Sequence, residues 1–148
     1  MGAFYRSHHE FVVVLKVGSA PHINNFGLGE RGRYRTNVWD YAGVNTFKPG
    51  RIDELTAHPT VKPLAMVVDA LKDCSRRKGI VLDPFAGSGT TILAAEKTGR
   101  IARAMELDPH YVDVAIRRWQ ILSGQSAVHA TSGASFDELL AKHNDKVE

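Results

Sequence analysis

Paired cysteines, long apolar runs and a large excess of one charge are all absent from this sequence. Its single cysteine, Cys74, excludes an internal disulfide, and no histidine cluster accompanies it at a spacing typical of zinc sites. The first apolar run, FVVVL at 11–15, is far too short to span a bilayer and does not resemble a signal peptide. The net charge of +3 permits a nucleic-acid partner without requiring one. We therefore expect a protein without structural metal or membrane span, in a reducing, cytoplasmic setting.

The first part of the chain changes character at about residue 17. The 148 residues correspond to a single domain, and 43% hydrophobic with 24% charged residues is typical of a globular protein. Residues 11–17, FVVVLKV, are β-branched and apolar and predict a buried strand. Residues 18–60 are rich in glycine, asparagine, arginine and proline and show no period, which in a compact domain indicates a functional or partner-contacting segment.

Basic and aromatic residues are interleaved within this irregular segment. Its stretch FGLGERGRYRTN, 26–37, is followed closely by a tryptophan. Two interpretations remain open: a solvated, flexible loop, or a surface whose cations contact phosphates and whose rings stack on a base. The candidate DNA-binding residues are Arg31, Arg33, Tyr34, Arg35 and Trp39.

A regular alternation of elements begins at residue 61 and continues to 124. Leu64, Val67, Val68 and Leu71 recur at helical spacing behind Pro63 and predict a helix over 63–77. A strand at 79–83, a helix at 90–98 closed by a glycine, a strand at 101–107 and a helix opened by Asp-Pro at 108–109 follow. This order predicts an α/β fold with a doubly wound, Rossmann-like parallel sheet. The remainder, 125–148, predicts a further strand at 125–131, a capping box SFDE at 135–138 with a short helix, and a frayed tail.

The turn LDPFAGSGTT, 82–91, has the form of a nucleotide-binding turn. A phosphate-binding P-loop requires a lysine after the last glycine, and none follows Gly89. A dinucleotide fingerprint requires a third glycine, where this chain has Ile92, so a nicotinamide-dependent oxidoreductase is a minor alternative. Asp83 ends one strand, and Glu106 lies at the end of the next, where a carboxylate accepts hydrogen bonds from ribose hydroxyls. The pattern predicts a nucleoside ligand without a required pyrophosphate.

Three motifs in order give the chain a family resemblance. HPTVKP at 58–63, LDPFAGSGTT at 82–91 and MELDPHYVDVAIRRW at 105–119 strongly resemble the DNA amino-methyltransferases, which make N6-methyladenine or N4-methylcytosine from S-adenosylmethionine. The resemblance extends over about 4–140, because the opening FYRSHHEFVVVLKVG is similar to a late strand of the family's catalytic half. It implies a Rossmann-like methyltransferase domain, S-adenosylmethionine as cofactor and DNA as substrate, as in restriction-modification systems.

The resemblance also implies the residues that hold the cofactor. Asp83 and the backbone of the glycine turn would hold the methionine end with Phe85 packed against it, and Glu106 would accept the ribose hydroxyls. Asp83 and Thr90 are alternatively only helix caps, and Lys62 alternatively a solvated residue; His58 and Cys74 have structural interpretations. The candidate cofactor-binding residues are Thr60, Lys62, Asp83, Pro84, Phe85, Gly87, Ser88, Gly89, Thr90, Thr91 and Glu106.

The element that the family uses on the target amine is missing. The resemblance implies an (Asp/Asn/Ser)-Pro-Pro-aromatic sequence whose oxygens accept the amine hydrogens while its ring stacks on a flipped base, and the chain contains none. DPHY at 108–111 is similar to it, which makes Asp108 and Tyr111 weak catalytic candidates, yet it lies where the family has a helix start.

We therefore expect an incomplete methyltransferase domain in this chain. Residues 1–17 would end the catalytic half, 18–60 would contact DNA, 61–124 would bind the cofactor, and 125–148 would complete the domain. Activity would then require an upstream catalytic segment or a partner chain. The alternative function is a catalytically dead nucleoside- or DNA-binding module that acts through a partner chain.

Overall fold

The computed structural model describes Phe4 and residues 9–27, 36–41 and 61–145. In chain order the elements are helix α1 Leu64–Cys74, strand β1 Ile80–Asp83, helix α2 Thr90–Thr98, strand β2 Ile101–Ala104, helix α3 Pro109–Ser123 and helix α4 Phe136–Asn144. The described residues contain no helix that is long and apolar enough to cross a bilayer. The four predicted helices are present, and so are the strands predicted at 79–83 and 101–107, which span Ile80–Asp83 and Ile101–Ala104.

Strands β1 and β2 are parallel neighbours joined through helix α2. Their register places Val81 opposite Ala102, and both side chains face the two helices. Leu71 of α1 and Ala94 of α2 form the centre of the core, where burying each apolar side chain is worth about 1–3 kcal/mol. The predicted α/β, Rossmann-like arrangement is confirmed by this parallel βαβ unit.

The helix ends follow local sequence signals. Asp108 caps α3 by accepting a hydrogen bond from the backbone N–H of His110, with Pro109 in the first turn. Ser135 and Glu138 form the reciprocal capping box predicted for α4. The backbone N–H and the hydroxyl of Ser135 hold the pKa of Glu138 below its ordinary value. Asp108 therefore acts as a helix cap, which agrees with the helix-start interpretation of DPHY.

Helix α1 ends three residues earlier than its predicted end at 77. Ser75 has extended backbone angles (φ −139°, ψ 162°), and its hydroxyl bonds the carbonyl oxygen of Leu71. Asn25, from the irregular segment, donates its side-chain amide to the carbonyl oxygens of Lys72 (2.8 Å) and Ser75 (3.0 Å). These contacts satisfy carbonyls that a helix end leaves without partners, so the chain can leave the helix here.

Two predicted strands are wrong. Residues 11–17 are not in a strand, and Val13 and Leu15 are exposed rather than buried. Residues 125–131 form only an isolated antiparallel bridge, Val128 to Ser135, beside a turn. A strand needs a neighbouring strand for its backbone hydrogen bonds, and neither segment has one among the described residues.

The face of the sheet opposite the helices is exposed in the part of the chain that the structure describes. Ile80 and Leu82 of β1 are each 69% exposed, and Ile101 of β2 is 41% exposed. A parallel sheet is ordinarily covered on both faces, because its strands are apolar on both sides. Within the described residues, this side of the strand pair is therefore an uncovered apolar surface.

Candidate cofactor-binding site

The glycine turn lies where both parallel strands end. Gly87 and Gly89 adopt left-handed backbone angles, with φ of 51° and 79°. An added Cβ at Gly89 would lie 2.6 Å from the Cβ of Ala115 in α3, so a side chain is excluded by space as well as by backbone angle. The turn is closed by hydrogen bonds from Ala86 N to Met105 O and from Gly89 N to Ala86 O, both 2.9 Å. The backbone is therefore held close to the start of helix α2.

Asp83 shapes the first part of this turn. Its Oδ1 accepts a hydrogen bond of 3.0 Å from the backbone N–H of Phe85. Helix α2 begins at Thr90, after Gly89 at the N-cap position, and has no side-chain cap, so capping of α2 by Asp83 or Thr90 is wrong. Pro84 is exposed and Phe85 is 88% exposed, which leaves its ring available to pack against a ligand.

The residues at the start of α2 are buried or half-buried. Ser88 and Thr90 are buried, and Thr91 is half-buried. The start of a helix presents backbone N–H groups and partial positive charge, which suits a ligand carboxylate.

Helix α3 fixes Ser88 through an arginine that the sequence analysis missed. Nη1 of Arg118 donates to the carbonyl oxygen of Ser88 at 2.5 Å and lies 2.8 Å from its hydroxyl oxygen. Ala115 and Arg118 are one helical turn apart, so one face of α3 both packs on Gly89 and bonds Ser88. The sequence signal for this contact is the i, i+3 spacing of Ala115 and Arg118, which places a small residue and an arginine on the same face of α3.

Glu106 joins the glycine turn to the end of β2. Its carboxylate accepts hydrogen bonds from the backbone N–H groups of Gly87 (2.7 Å), Leu107 (2.9 Å) and Asp108 (3.0 Å). The side chain is half-buried. Glu106 and Asp83 thus lie at the carboxyl ends of adjacent strands, where ligands bind in open α/β sheets.

The motif HPTVKP contributes Thr60 and Lys62 to the candidate cofactor-binding residues, and only Lys62 is in the described part of the chain. Thr60 lies outside it, as does His58. The Nζ of Lys62 pairs with the carboxylate of Glu10, and both side chains are largely exposed, at 46% and 72%. The lysine is therefore paired with a carboxylate already, in a surface ion pair of the kind worth only about 0–1 kcal/mol.

The candidate DNA-binding residues are mostly outside the described part of the chain. Arg31, Arg33, Tyr34 and Arg35 lie there. Trp39 is half-buried and packs edge-on against Tyr41, with ring centroids 6.4 Å apart.

The two weak catalytic candidates belong to the start of α3. Asp108 caps this helix, as described above, and Tyr111 is half-buried with its ring tilted against His110. Neither arrangement requires a catalytic role.

Relatives of the chain identify its family. The sequence matches the DNA methylase family that acts at N6 and N4 positions over residues 5–117. It is 40% identical over 87 residues to the type II methyltransferase M.ScaI of Streptomyces caespitosus, covering 59% of this chain and 29% of that protein. It is 38% identical over 91 residues to the DNA adenine methyltransferase YhdJ of Escherichia coli K12, covering 62% and 30%. The chain thus spans about three tenths of the length of these relatives.

One solved structure agrees with the chain at the level of the fold. The cytosine-N4-specific PvuII DNA methyltransferase superimposes with a TM-score of 0.50 at 22% identity, over 62% of this chain and 39% of that one. The complex of M1.HpyAVI with S-adenosylmethionine gives a TM-score of 0.44 at 32% identity, over 58% and 42%. S-adenosylmethionine is the methyl donor of the family, as the resemblance implies. Since the family match covers most of its length, the chain belongs to the N6- and N4-type DNA methylase family.

Proposed function

We propose that this chain is the S-adenosylmethionine-binding part of an enzyme that methylates an exocyclic amino group of adenine or cytosine in DNA. The observation that carries the proposal is the juxtaposition of Asp83, the left-handed glycine turn and Glu106 at the carboxyl edge of a parallel strand pair. Such an edge, next to a helix start, suits a nucleoside that carries a carboxylate.

Each end of the cofactor has a counterpart in the site. The methionine carboxylate would bind the backbone N–H groups and hydroxyls at Thr90 and Thr91, and the ribose hydroxyls would donate to Glu106. Lys62 would exchange Glu10 for the cofactor carboxylate, at small cost because its present ion pair is largely exposed. Phe85 would pack on the ligand.

Transfer itself requires groups that these residues do not supply. The amine lone pair is delocalised into the base, and hydrogen-bond acceptors that polarise it, together with a ring that holds the flipped base, contribute several kcal/mol each. We propose that a Pro-Pro-aromatic element supplies them from a further segment of the protein or from a partner chain. The exposed apolar face of Ile80, Leu82 and Ile101 supports this, because it is the surface that such a segment would cover.

We propose that the irregular segment, residues 18–60, contacts DNA. We also propose that the protein acts in the cytoplasm. Three arginines at 31, 33 and 35 would neutralise phosphates, and Tyr34 or Trp39 would stack on a base. Replacing the three arginines by alanine should reduce the salt slope of log K by roughly two to three units. An unchanged salt slope would favour the other interpretation of this segment, a solvated loop.

A labelled-methyl assay tests the proposed function. The purified 148-residue chain is incubated with mixed-sequence DNA and S-adenosylmethionine, with and without a segment that carries the Pro-Pro-aromatic element. We expect no detectable transfer by the chain alone and transfer in the supplemented reaction. Robust transfer by the chain alone would instead assign the chemistry to DPHY, and Asp108→Ala would then abolish it.

Calorimetry separates the cofactor assignment from the transfer step. We expect weak binding of S-adenosylmethionine or its demethylated product, because part of the pocket wall is lacking. Tighter binding of NADH would overturn the cofactor assignment. Binding of cofactor and DNA without transfer in the supplemented reaction would favour the second candidate, a catalytically dead binding module that acts through a partner chain.

A further inference from the structure

The amino ends of the two strands carry a group of basic side chains that the cofactor site does not use. Arg76, Arg77 and Lys78 lie in the turn between α1 and β1, and Lys97 lies in the last turn of α2, before β2. These four residues are called the basic edge below. All four are exposed, and within the described part of the chain none of them pairs with a carboxylate.

The basic edge is built by the fold, because its two turns are held together. The backbone N–H of Lys78 donates to the carbonyl oxygen of Gly99 at 2.6 Å, and that of Ile101 donates to Gly79 at 2.9 Å. The guanidinium of Arg77 lies across Gly99, with Nη2 2.8 Å from where a Cβ would stand. Two turns that carry cations distant in sequence are thus held next to one another.

Lys78 occupies a backbone conformation that suits glycine. Its φ is 63°, and among the described residues it is the one non-glycine residue with a positive φ. The left-handed region is unfavourable for a residue with a Cβ, and strain of this kind is concentrated at functional positions. The lysine therefore places a charge in the middle of the basic edge at the expense of local backbone energy.

The basic edge is separate from the cofactor site. Strand β1 has four residues, so its two ends lie about 10 Å apart at the rise of a strand. The glycine turn follows the carboxyl end, whereas the basic edge precedes the amino end. A ligand bound at one edge leaves the other accessible.

We propose that the basic edge binds the phosphate backbone of double-stranded DNA, as a second, sequence-independent contact away from the cofactor site. Arginine and lysine are side chains that contact phosphates, and cations carried by two adjoining turns can reach phosphates on one side of a duplex. The choice of DNA rests on the proposed function, while the arrangement of charge stands independently of it.

Binding of a fluorescent 20-base-pair duplex by the whole chain, measured by anisotropy at several salt concentrations, tests the proposal. The triple variant Arg76→Ala, Arg77→Ala, Lys97→Ala should bind roughly 10- to 100-fold more weakly at low salt, with the slope of log K against log salt reduced by roughly two to three units. The charge-matched control replaces Lys16, Arg117 and Lys142, which lie elsewhere. It should leave the slope close to that of the wild type.

Lys78→Gly is the second variant, and it separates binding from folding. It should raise the melting temperature, because the positive φ is relieved, and at the same time reduce the salt slope by about one unit. A lower DNA affinity in a more stable protein is not explained by loss of fold.

Three results would overturn the proposal: an unchanged slope in the triple variant, an equal loss in the charge-matched control, or tighter binding of phosphatidylserine vesicles than of DNA. Calorimetry with S-adenosylmethionine on the same variants should give wild-type affinity. Failure of cofactor binding in the wild type would instead count against the proposed function and leave the result for the basic edge intact.

Discussion

Replacing Glu106 by alanine tests the centre of the cofactor site. Its carboxylate bonds three backbone N–H groups, at Gly87, Leu107 and Asp108, and we propose that it also accepts the ribose hydroxyls. The variant therefore removes a ligand contact and releases the glycine turn from β2 together. Hydrogen bonds to a charged group contribute about 1.5–3 kcal/mol when one partner is removed.

We expect most of this free energy to be lost from cofactor binding rather than from folding. Water can replace the carboxylate at these backbone groups, because Leu107 and Asp108 are exposed and Gly87 is half-buried, whereas a bound ribose would lose the carboxylate that we propose as its acceptor. We expect cofactor affinity to fall by about 1.5–3 kcal/mol, which is about 10- to 150-fold. Titration calorimetry with the demethylated cofactor measures this without turnover, and urea unfolding of the same sample measures any loss of stability.

Glu96→Ala is the matched control. This glutamate accepts a hydrogen bond from Nε1 of Trp119 at 3.0 Å and lies on helix α2 away from the glycine turn. It changes the net charge equally and should leave cofactor affinity unaltered. Equal affinity of the wild type and Glu106→Ala would refute the assignment of Glu106, and an equal loss in both variants would reduce the effect to overall charge.

Further variants test the neighbouring contacts and the last helix. Arg118→Ala should weaken cofactor binding by about 1–2 kcal/mol, because Ser88 loses the hydrogen bonds that hold it to α3. The control Arg117→Ala removes a cation over the Phe136 ring and should leave the cofactor affinity measured by calorimetry unchanged. Gly89→Ala should lower the free energy of unfolding in urea by about 2–4 kcal/mol through backbone strain and overlap with α3, and a neutral effect would contradict the packing. The capping box predicts a loss of about 1 kcal/mol for Ser135→Ala, seen in the same assay. Because the pKa of Glu138 is lowered in the folded state, its stabilising contribution should be present near neutral pH and should be lost as the pH falls through that lowered value; helical circular dichroism that rises on acidification would contradict it.

Local sequence signals determined much of the domain. The helical spacing of Leu64 to Leu71, the glycine that closes α2, the Asp-Pro start of α3 and the capping box of α4 each specify an element through backbone chemistry within a few residues. The motif order placed the chain in its family, which the family match confirms. The positions of the glycine turn and of Glu106 at adjacent strand ends follow from the same order.

Tertiary contacts decided what these signals leave open. Residues 11–17 are apolar and β-branched, but a strand exists only beside another strand, and none of the described residues supplies one. Helix α1 ends at Cys74 because Asn25, some fifty residues earlier, bonds its last carbonyls. Arg118 reaches Ser88, and Lys78 meets Gly99, only because separate helices and turns pack together. Sequence specified the elements and their chemistry through short-range interactions, whereas the partners of each side chain depended on residues that only the packed fold brings into contact.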